Sequence, residues 1–382
     1  MTPVACAARA ACAACLAATG CGTAPSGAVA APASCGDAGA TFDGLWAASD
    51  YASSALGAFA TSGAISSSTG VDLGADPALA TSGGRAFYLA RDQDLVFELD
   101  PACGSIKARS SVHDASHAGP SDPYDVGVAS DGSLWVPLYD VPELLVLDPT
   151  GATVTDRIDL SSYDGDGNPQ ASAVAIVDTP AGEKAFVALE RLDDGHGLRS
   201  VEPSWMLRVD VKTRKAEATI PLAGRNPFAM RAEGSLLWLS EPGNFDDGAE
   251  SAAGIERFDT STSTTVLLTH EADLGGSVAE IAVRGACGVA IVAGPTEANA
   301  TSLVTFDPTS GAVITAAARS PLATSGFDLQ GIDWVKGALL AGDRRRLSAG
   351  YPVHAFDADA GCVLHERAPL ALYLPLPPVA LR

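Results

Sequence analysis

A short apolar strand that ends in aspartate returns six times along the chain, and its spacing limits the fold more than any other feature. The copies are Leu95-Val-Phe-Glu-Leu-Asp100, Leu144-Leu-Val-Leu-Asp148, Met206-Leu-Arg-Val-Asp210, Ile255-Glu-Arg-Phe-Asp259, Leu303-Val-Thr-Phe-Asp307 and Val353-His-Ala-Phe-Asp357. Successive aspartates lie 48, 62, 49, 48 and 50 residues apart. A period near 50 with turn-forming residues between strands is that of four-stranded propeller blades. The long interval carries its excess in the polar segment 192–204, which reads as an inserted loop. The aspartate that ends each copy suits a cap on the following turn, so none of the six is assigned a catalytic role.

The same grammar recurs inside each unit. One unit runs Tyr124-Asp-Val-Gly-Val-Ala129, a turn at Ser130-Asp-Gly132, Ser133-Leu-Trp-Val-Pro-Leu138, a strand over 143–148, a turn at Pro149-Thr-Gly151 and a strand over 153–158. Asp-Gly and Thr-Gly at the hairpin tips supply positive φ at little cost. The strands are apolar at consecutive positions, as blades stacked face to face require. Complete units are expected at 75–111, 124–158, 173–220, 227–268, 278–316 and 328–367. Segments 45–48, 55–59 and 64–69 offer three more strands and 370–374 one, enough for a seventh blade made from both ends. Closing the ring removes the sheet edges that invite aggregation. The expected fold is all-β: a seven-bladed β-propeller of four-stranded blades closed by N- and C-terminal strands, with a six-bladed ring as the alternative. Composition agrees. A 47% hydrophobic share excludes wholesale disorder, and 39 Gly with 24 Pro argue against a long helical bundle.

Residues 1–20 contain a single charged side chain, Arg9, followed by a run of small apolar residues. The run is too short to span a bilayer, which takes about 20 apolar residues, and suits the core of a secretory signal. Leu16-Ala-Ala-Thr-Gly-Cys21 resembles the bacterial lipobox, in which the signal is cut before a cysteine that then carries lipid. Segment 21–40 holds one charge and no large apolar side chain, and reads as a flexible tether. The expected organisation is a lipoprotein-type signal peptide at 1–20, a tether at 21–40 and a propeller at 41–382. The expected address is the cell envelope, through an outer-membrane lipid anchor on Cys21. The alternative is an ordinary signal peptide cut near Ala30-Ala-Pro and a periplasmic or secreted protein. With Cys6, Cys12 and Cys15 in the signal, the mature chain keeps Cys35, Cys103, Cys287 and Cys362. An even set in an oxidising compartment suggests two bridges among three possible pairings. Adjacent-blade logic favours Cys35–Cys103 and Cys287–Cys362 over buried free thiols.

The strands Leu134-Trp-Val-Pro-Leu138 and Ala185-Phe-Val-Ala-Leu189 resemble degenerate forms of the Tyr-Val-Thr-Asn strand of bacterial YVTN-type surface β-propellers. Asp122-Pro-Tyr-Asp125, Arg157-Ile-Asp-Leu160 and Gly224-Arg-Asn-Pro-Phe228 are similar to the phrases that open blades and form fourth strands in that family. Ser49-Asp-Tyr-Ala-Ser-Ser54 resembles the first blade of propeller lipoproteins. The likeness spans about residues 42–374 and implies fold rather than chemistry, because propellers host many activities. The asparagine of the strand motif is missing here, so nothing tied to it carries over.

A formal net charge of −22, from 24 Lys+Arg against 46 Asp+Glu, repels nucleic acid and anionic lipid. Membrane contact is therefore expected through the N-terminal lipid alone, on a monomer. Propeller topology gathers the longer loops, 112–123, 159–172, 190–204, 241–253, 269–277 and 343–351, on one face. There they concentrate Asp114, Asp122, Asp164, Asp166, Asp193, Asp194, Asp246, Asp247, Glu250, Glu271 and Asp273. Asp164, Asp166 and Asn168 place oxygens at alternate positions, as the first half of a calcium loop does, so calcium is the one cofactor considered. The glycine of such a loop is displaced here and no Glu stands at its twelfth place, Ala175, which suits a solvated Asp-Gly turn. His113, His117, His196 and His270 fall on the same face, where a zinc site would need three or four to converge. No GxSxG, HExxH or phosphate-loop motif occurs. Cys12-Ala-Ala-Cys15 lies in the signal, and no CxxCH follows it to support a haem-binding reading. Two functions are carried forward. The first is a non-enzymatic envelope scaffold whose acidic loop face binds a protein, glycan or cation. The second is a metal-dependent hydrolase or lactonase working at the central channel. For the second, residues opening the inner strands are the candidates: Asp76, Asp125, Asn226, Glu280 and Asp328.

Overall fold

The computed structural model describes residues 42–68, 71–245, 250–294, 300–367 and 372–382. The regular structure of the described chain is nearly all strand, arranged as seven four-stranded antiparallel blades in a ring. Blades 1 to 6 each use consecutive segments, within 77–111, 127–159, 171–221, 229–270, 277–315 and 329–366. These bounds fall within a few residues of the repeat units. The first strands are Pro77–Ser82, Gly127–Val128, Ala171–Thr179, Ala229–Glu233, Ser277–Arg284 and Leu329–Val335. Each packs beside the first strand of the next blade, and Pro378–Leu381 fills the seventh place between blades 6 and 1. The ring is therefore closed with seven members.

Blade 7 joins the two ends of the described chain. Gly44–Ser49 pairs with Ser54–Phe59 on one side and with Pro378–Leu381 on the other, setting Trp46 opposite Leu381. Its outer edge is an extended segment rather than a full strand: Ile65 bridges Phe59, and the Ser66 and Ser68 amides donate to Ala58 and Leu56. Gly57 permits this close approach, because a Cβ there would lie 1.9 Å from the Ser66 carbonyl oxygen. The expected closing strand at 370–374 is corrected. Tyr373–Leu374 instead adds to blade 6, pairing with Tyr351 and Pro352, and residues 368–371 lie outside the described set. Pro378 can begin a sheet strand because the first position need not donate to the ladder.

Burial follows from the stacking. Second strands are enclosed along most of their length, as in Leu134–Pro137, whereas the fourth strand Val154–Asp159 alternates half-buried and exposed positions. Blade-to-blade clusters form the core, for example Ala188, Met206, Leu222, Leu239 and Phe258 between blades 3 and 4. Cys287 and Cys362 form a disulfide that staples blade 5 to blade 6 on the hairpin face, as the adjacent-blade pairing anticipates. Cys103 lies beside Ser105. Cys35, Cys21, the signal and the tether lie outside the described residues.

Candidate functional site

The first strands wall a central tunnel, and two of the channel candidates, Asp125 and Glu280, both act on Arg231 there. Asp125 accepts hydrogen bonds from its neighbour Val126 N–H (2.8 Å) and from Val174 N–H of blade 3 (3.0 Å). Glu280 does the same between blades 5 and 6, accepting from Gly331 N–H (3.0 Å) and Ile332 N–H (3.3 Å). Each carboxylate thus clamps its blade to the next. Burial raises the pKa of both, against those bonds and the charges of Arg231 and Arg382. Arg382 follows the closing strand, and its Nη1 lies 3.9 Å from Asp333 Oδ2. Arg231 is brought down to about 10 by burial and by Arg382, opposed by Asp333, Glu280 and Asp125. Groups from blades 2, 4, 5, 6 and 7 can act on one another only across the tunnel axis. The axis is therefore lined by three carboxylates and two guanidinium groups.

The other three candidates hold connections near the tunnel mouth. Asp76 is ion-paired with Arg91 at 2.5 Å. Asn226, with φ of 60°, donates its Nδ2–H to the Gly243 carbonyl and its backbone N–H to Ser204 Oγ. Asp328 accepts at its carbonyl from Arg344 N–H. Sequence reasoning missed Arg231, Asp333 and Arg382. Arg231 and Asp333 do carry a signal: each is a charge inside a first strand.

On the loop face, the connections of blades 2 and 3 bring Asp140, Asp164, Asp166 and Asp194 within electrostatic reach. Burial raises the pKa of Asp194, and Asp166, Asp140 and Asp164 add to the rise. Asp164 is raised by burial and by Asp166, while Arg191, with Nη2 at 3.9 Å, opposes this. Asp166 accepts from Asn168 N–H and Asp194 N–H, both at 3.1 Å, and Asn168 donates its Nδ2–H to the Tyr139 carbonyl at 3.2 Å. Asp166 thus holds its own turn and the connection at Asp194, and the Asn168 side-chain oxygen accepts from Gln170 N–H at 3.5 Å. Among the described residues, no group of three or more His, Cys, Asp or Glu is placed to hold a metal ion.

The loop-face histidines have separate partners. His113 lies 2.7 Å from Asp94, His196 lies 2.6 Å from Asp193, and His270 Nδ1 lies 3.1 Å from the Ser251 carbonyl. The His117 backbone N–H bonds the Asp114 carbonyl. Asp246 and Asp247 lie outside the described residues.

Beneath the loops runs a buried polar row. The Arg91 guanidinium covers the Tyr124 ring at 4.6 Å, and Tyr124 stacks on Tyr139 at 4.7 Å. Tyr139 Oη–H donates to Glu190 Oε2 at 2.7 Å. Burial pushes Glu190 up to about 8, so this carboxyl holds its proton at neutral pH. On blade 4, burial likewise pushes Glu271 up to about 7.

No known protein family matches the chain, and no curated protein matches it at a significant level. Solved structures do. A protein of Bacteroides uniformis described as a candidate 6-phosphogluconolactonase is 12% identical with a TM-score of 0.57, covering 90% of this chain and 99% of its own. A streptogramin B lyase is 12% identical with a TM-score of 0.52, covering 79% and 90%. The WD40 repeats of RRP9 are 10% identical with a TM-score of 0.51, covering 77% and 78%. At such identities the likeness is one of fold. What the chain shares with all three is the β-propeller.

Proposed function

We propose that the chain is a non-enzymatic binding scaffold of the cell envelope, anchored by lipid at Cys21, whose acidic loop face takes a cationic partner. That partner is a protein, a glycan bearing positive groups, or calcium at Asp164, Asp166 and Asn168. The observation that carries this reading is the chemistry of the tunnel. Asp125 and Glu280 are engaged by backbone N–H groups of the next blade, and Arg231 and Arg382 bring positive charge where a catalytic metal would need open carboxylates. The cluster of Asp140, Asp164, Asp166 and Asp194 adds a local negative field on the loop side. The acidic balance of the chain speaks against a nucleic-acid partner.

A metal-dependent hydrolase or lactonase is the second reading, favoured by Asp125, Glu280 and Asp333 all lying within electrostatic reach of Arg231 in the tunnel. Metal content and thermal unfolding of residues 36–382, with chelator and with added calcium, separate the two. A ligand at 100 times its dissociation constant stabilises the native state by about 2.7 kcal/mol. The scaffold reading expects no stoichiometric metal on the axis and no turnover of lactones. Any calcium shift should vanish in D164N/D166N and persist in E280Q. Stoichiometric metal lost on E280Q, together with saturable lactone turnover, would establish the hydrolase instead.

A further inference from the structure

At the top of blade 4, beneath the segment 222–228 that arrives from blade 3, two glutamates meet out of reach of water. Glu241 ends the second strand, Leu236–Glu241, and Glu256 lies in the third, Gly254–Asp259. Register sets Glu241 opposite Gly254 and Glu256 opposite Leu239, so both side chains leave the same face of the sheet. Each residue is 0% exposed. The Gly224 N–H donates to Glu256 Oε2 at 2.6 Å, while Glu256 Oε1 and both Glu241 oxygens have no hydrogen-bond partner. The two carboxyls are nevertheless within hydrogen-bonding reach of each other. Two ionised carboxylates are acceptors only, so the donor this contact lacks is a proton on one of them. A hydrated cation has no room: a Cβ on Gly224 would lie 1.7 Å from Glu241 Oε2, so the covering segment rests directly on the pair.

Among the described residues, none offers the pair a counter-charge. The same faces continue downward into Leu239 and Phe258, packed on Ala188, Met206 and Leu222 of blade 3. The covering segment carries Arg225, yet the groups acting on the pair are its own two members and the Gly224 and Ala223 N–H groups. Glu250, across Gly243, accepts from Asn244 N–H, and Glu271 on the blade 5 side accepts from Glu250 N–H. Neither faces the pair.

We propose that Glu241 and Glu256 hold a shared proton at neutral pH and form a latch that an alkaline shift releases, freeing segment 222–228 from the tops of blades 3 and 4. Loss of the proton leaves two negative charges in contact in a dry site, and one carboxylate must swing out to water. Its way out is through the Gly224 segment. That segment carries Asn226, which ties Ser204 of blade 3 to Gly243 of blade 4, so release loosens one side of the tunnel mouth. The latch stands on the pair alone and is independent of what the loop face binds.

The test follows hydrogen exchange of 222–228 in the intact chain between pH 6 and 9, as protection factors, alongside infrared detection of protonated carboxyl groups. In the wild type, protection should fall about tenfold per pH unit once the pair titrates. In E241Q and E256Q an amide donor replaces the shared proton, protection should stay level, and one protonated-carboxyl signal should disappear. An equal fall in the variants, or an infrared signal at pH 7 that neither variant reduces, overturns the proposal. If neither glutamine variant folds, the wild-type infrared titration decides. Loss of a protonated-carboxyl signal in step with protection of 222–228 supports the latch, and loss of protection without it refutes it.

Discussion

The tunnel axis and the top of blade 4 bury the same functional group in opposite ways. On the axis, Asp125 and Glu280 each receive backbone N–H groups from a neighbouring blade, and Arg231 and Arg382 answer their charge. At Glu241 and Glu256 the Gly224 and Ala223 N–H groups serve the pair, and no cation among the described residues acts on it. The first environment makes a carboxylate into a structural clamp, and the second makes it a holder of protons. What differs is the supply of donors and positive charge, and also of water, which reaches the tunnel groups but not the pair at the top of blade 4. Glu190 and Glu271 are also pushed up by burial, to about 8 and about 7, although hydrogen-bond donors oppose the rise in both.

The largest effect that separates these environments is a loss of stability with rising pH. Carboxyls raised to about 8 at Glu190 and about 7 at Glu271 bind protons in the folded chain that the unfolded chain has released. Their stabilisation is complete below the unfolded pKa near 4.5 and is lost as pH climbs through 7 and 8. Going from pH 5 to pH 8 should therefore cost on the order of 6 kcal/mol, read from denaturant midpoints at several pH values. E190Q should flatten that profile, and an unchanged slope would remove Glu190 from the group. His354, raised by its hydrogen bonds to Asp343 and Glu366 against the effect of burial, acts in the same direction.

The next effect breaks the tunnel side. R231M leaves Asp125, Glu280 and Asp333 facing Arg382 alone. The loss should be about 2–3 kcal/mol at pH 8, below that of a dry ion pair because water reaches the tunnel. The clamps should then behave like the acids of blade 4, giving a steeper pH profile than wild type and partial recovery at pH 5. A uniform loss at every pH would mean that Arg231 acts through packing alone. The smallest effect concerns the exposed cluster, which belongs to neither environment. D194N keeps the acceptor for Gln170 Nε2–H and relieves repulsion from Asp166, Asp140 and Asp164. It should stabilise by less than about 0.5 kcal/mol at low ionic strength, and the gain should vanish in molar salt.

The blades were legible because each strand that ends in aspartate announces itself locally, and six copies at one period leave few architectures. The closing strand was misplaced for the same reason. Leu370-Ala-Leu-Tyr-Leu374 is the better local strand, whereas Pro378-Val-Ala-Leu381 becomes one only because Gly44–Ser49 offers an edge at the end of the ring. Asp125 and Glu280 could be picked by position, since residues that open first strands approach the axis. Arg231 and Asp333 escaped because a charge within a strand reads as pointing to solvent until the ring is closed around it, and Arg382 because the strand before it was not recognised. Glu241 and Glu256 were invisible for a related reason. Nothing in Leu-Trp-Leu-Ser-Glu or Gly-Ile-Glu-Arg-Phe-Asp tells that the two side chains share a face under Gly224.

The pairing of Trp46 with Leu381 has a consequence for the order in which the molecule is made. Almost the whole propeller lies between these partners, so the inner strand of blade 7 is delivered only after the other six blades have been synthesised. Until then the nascent chain is an open arc with two unsealed ends. Such an arc has local contacts to form blade by blade, but the long-range contact that locks it comes last. A ring built this way can close only after Pro378–Leu381 has been made, however early the other blades form.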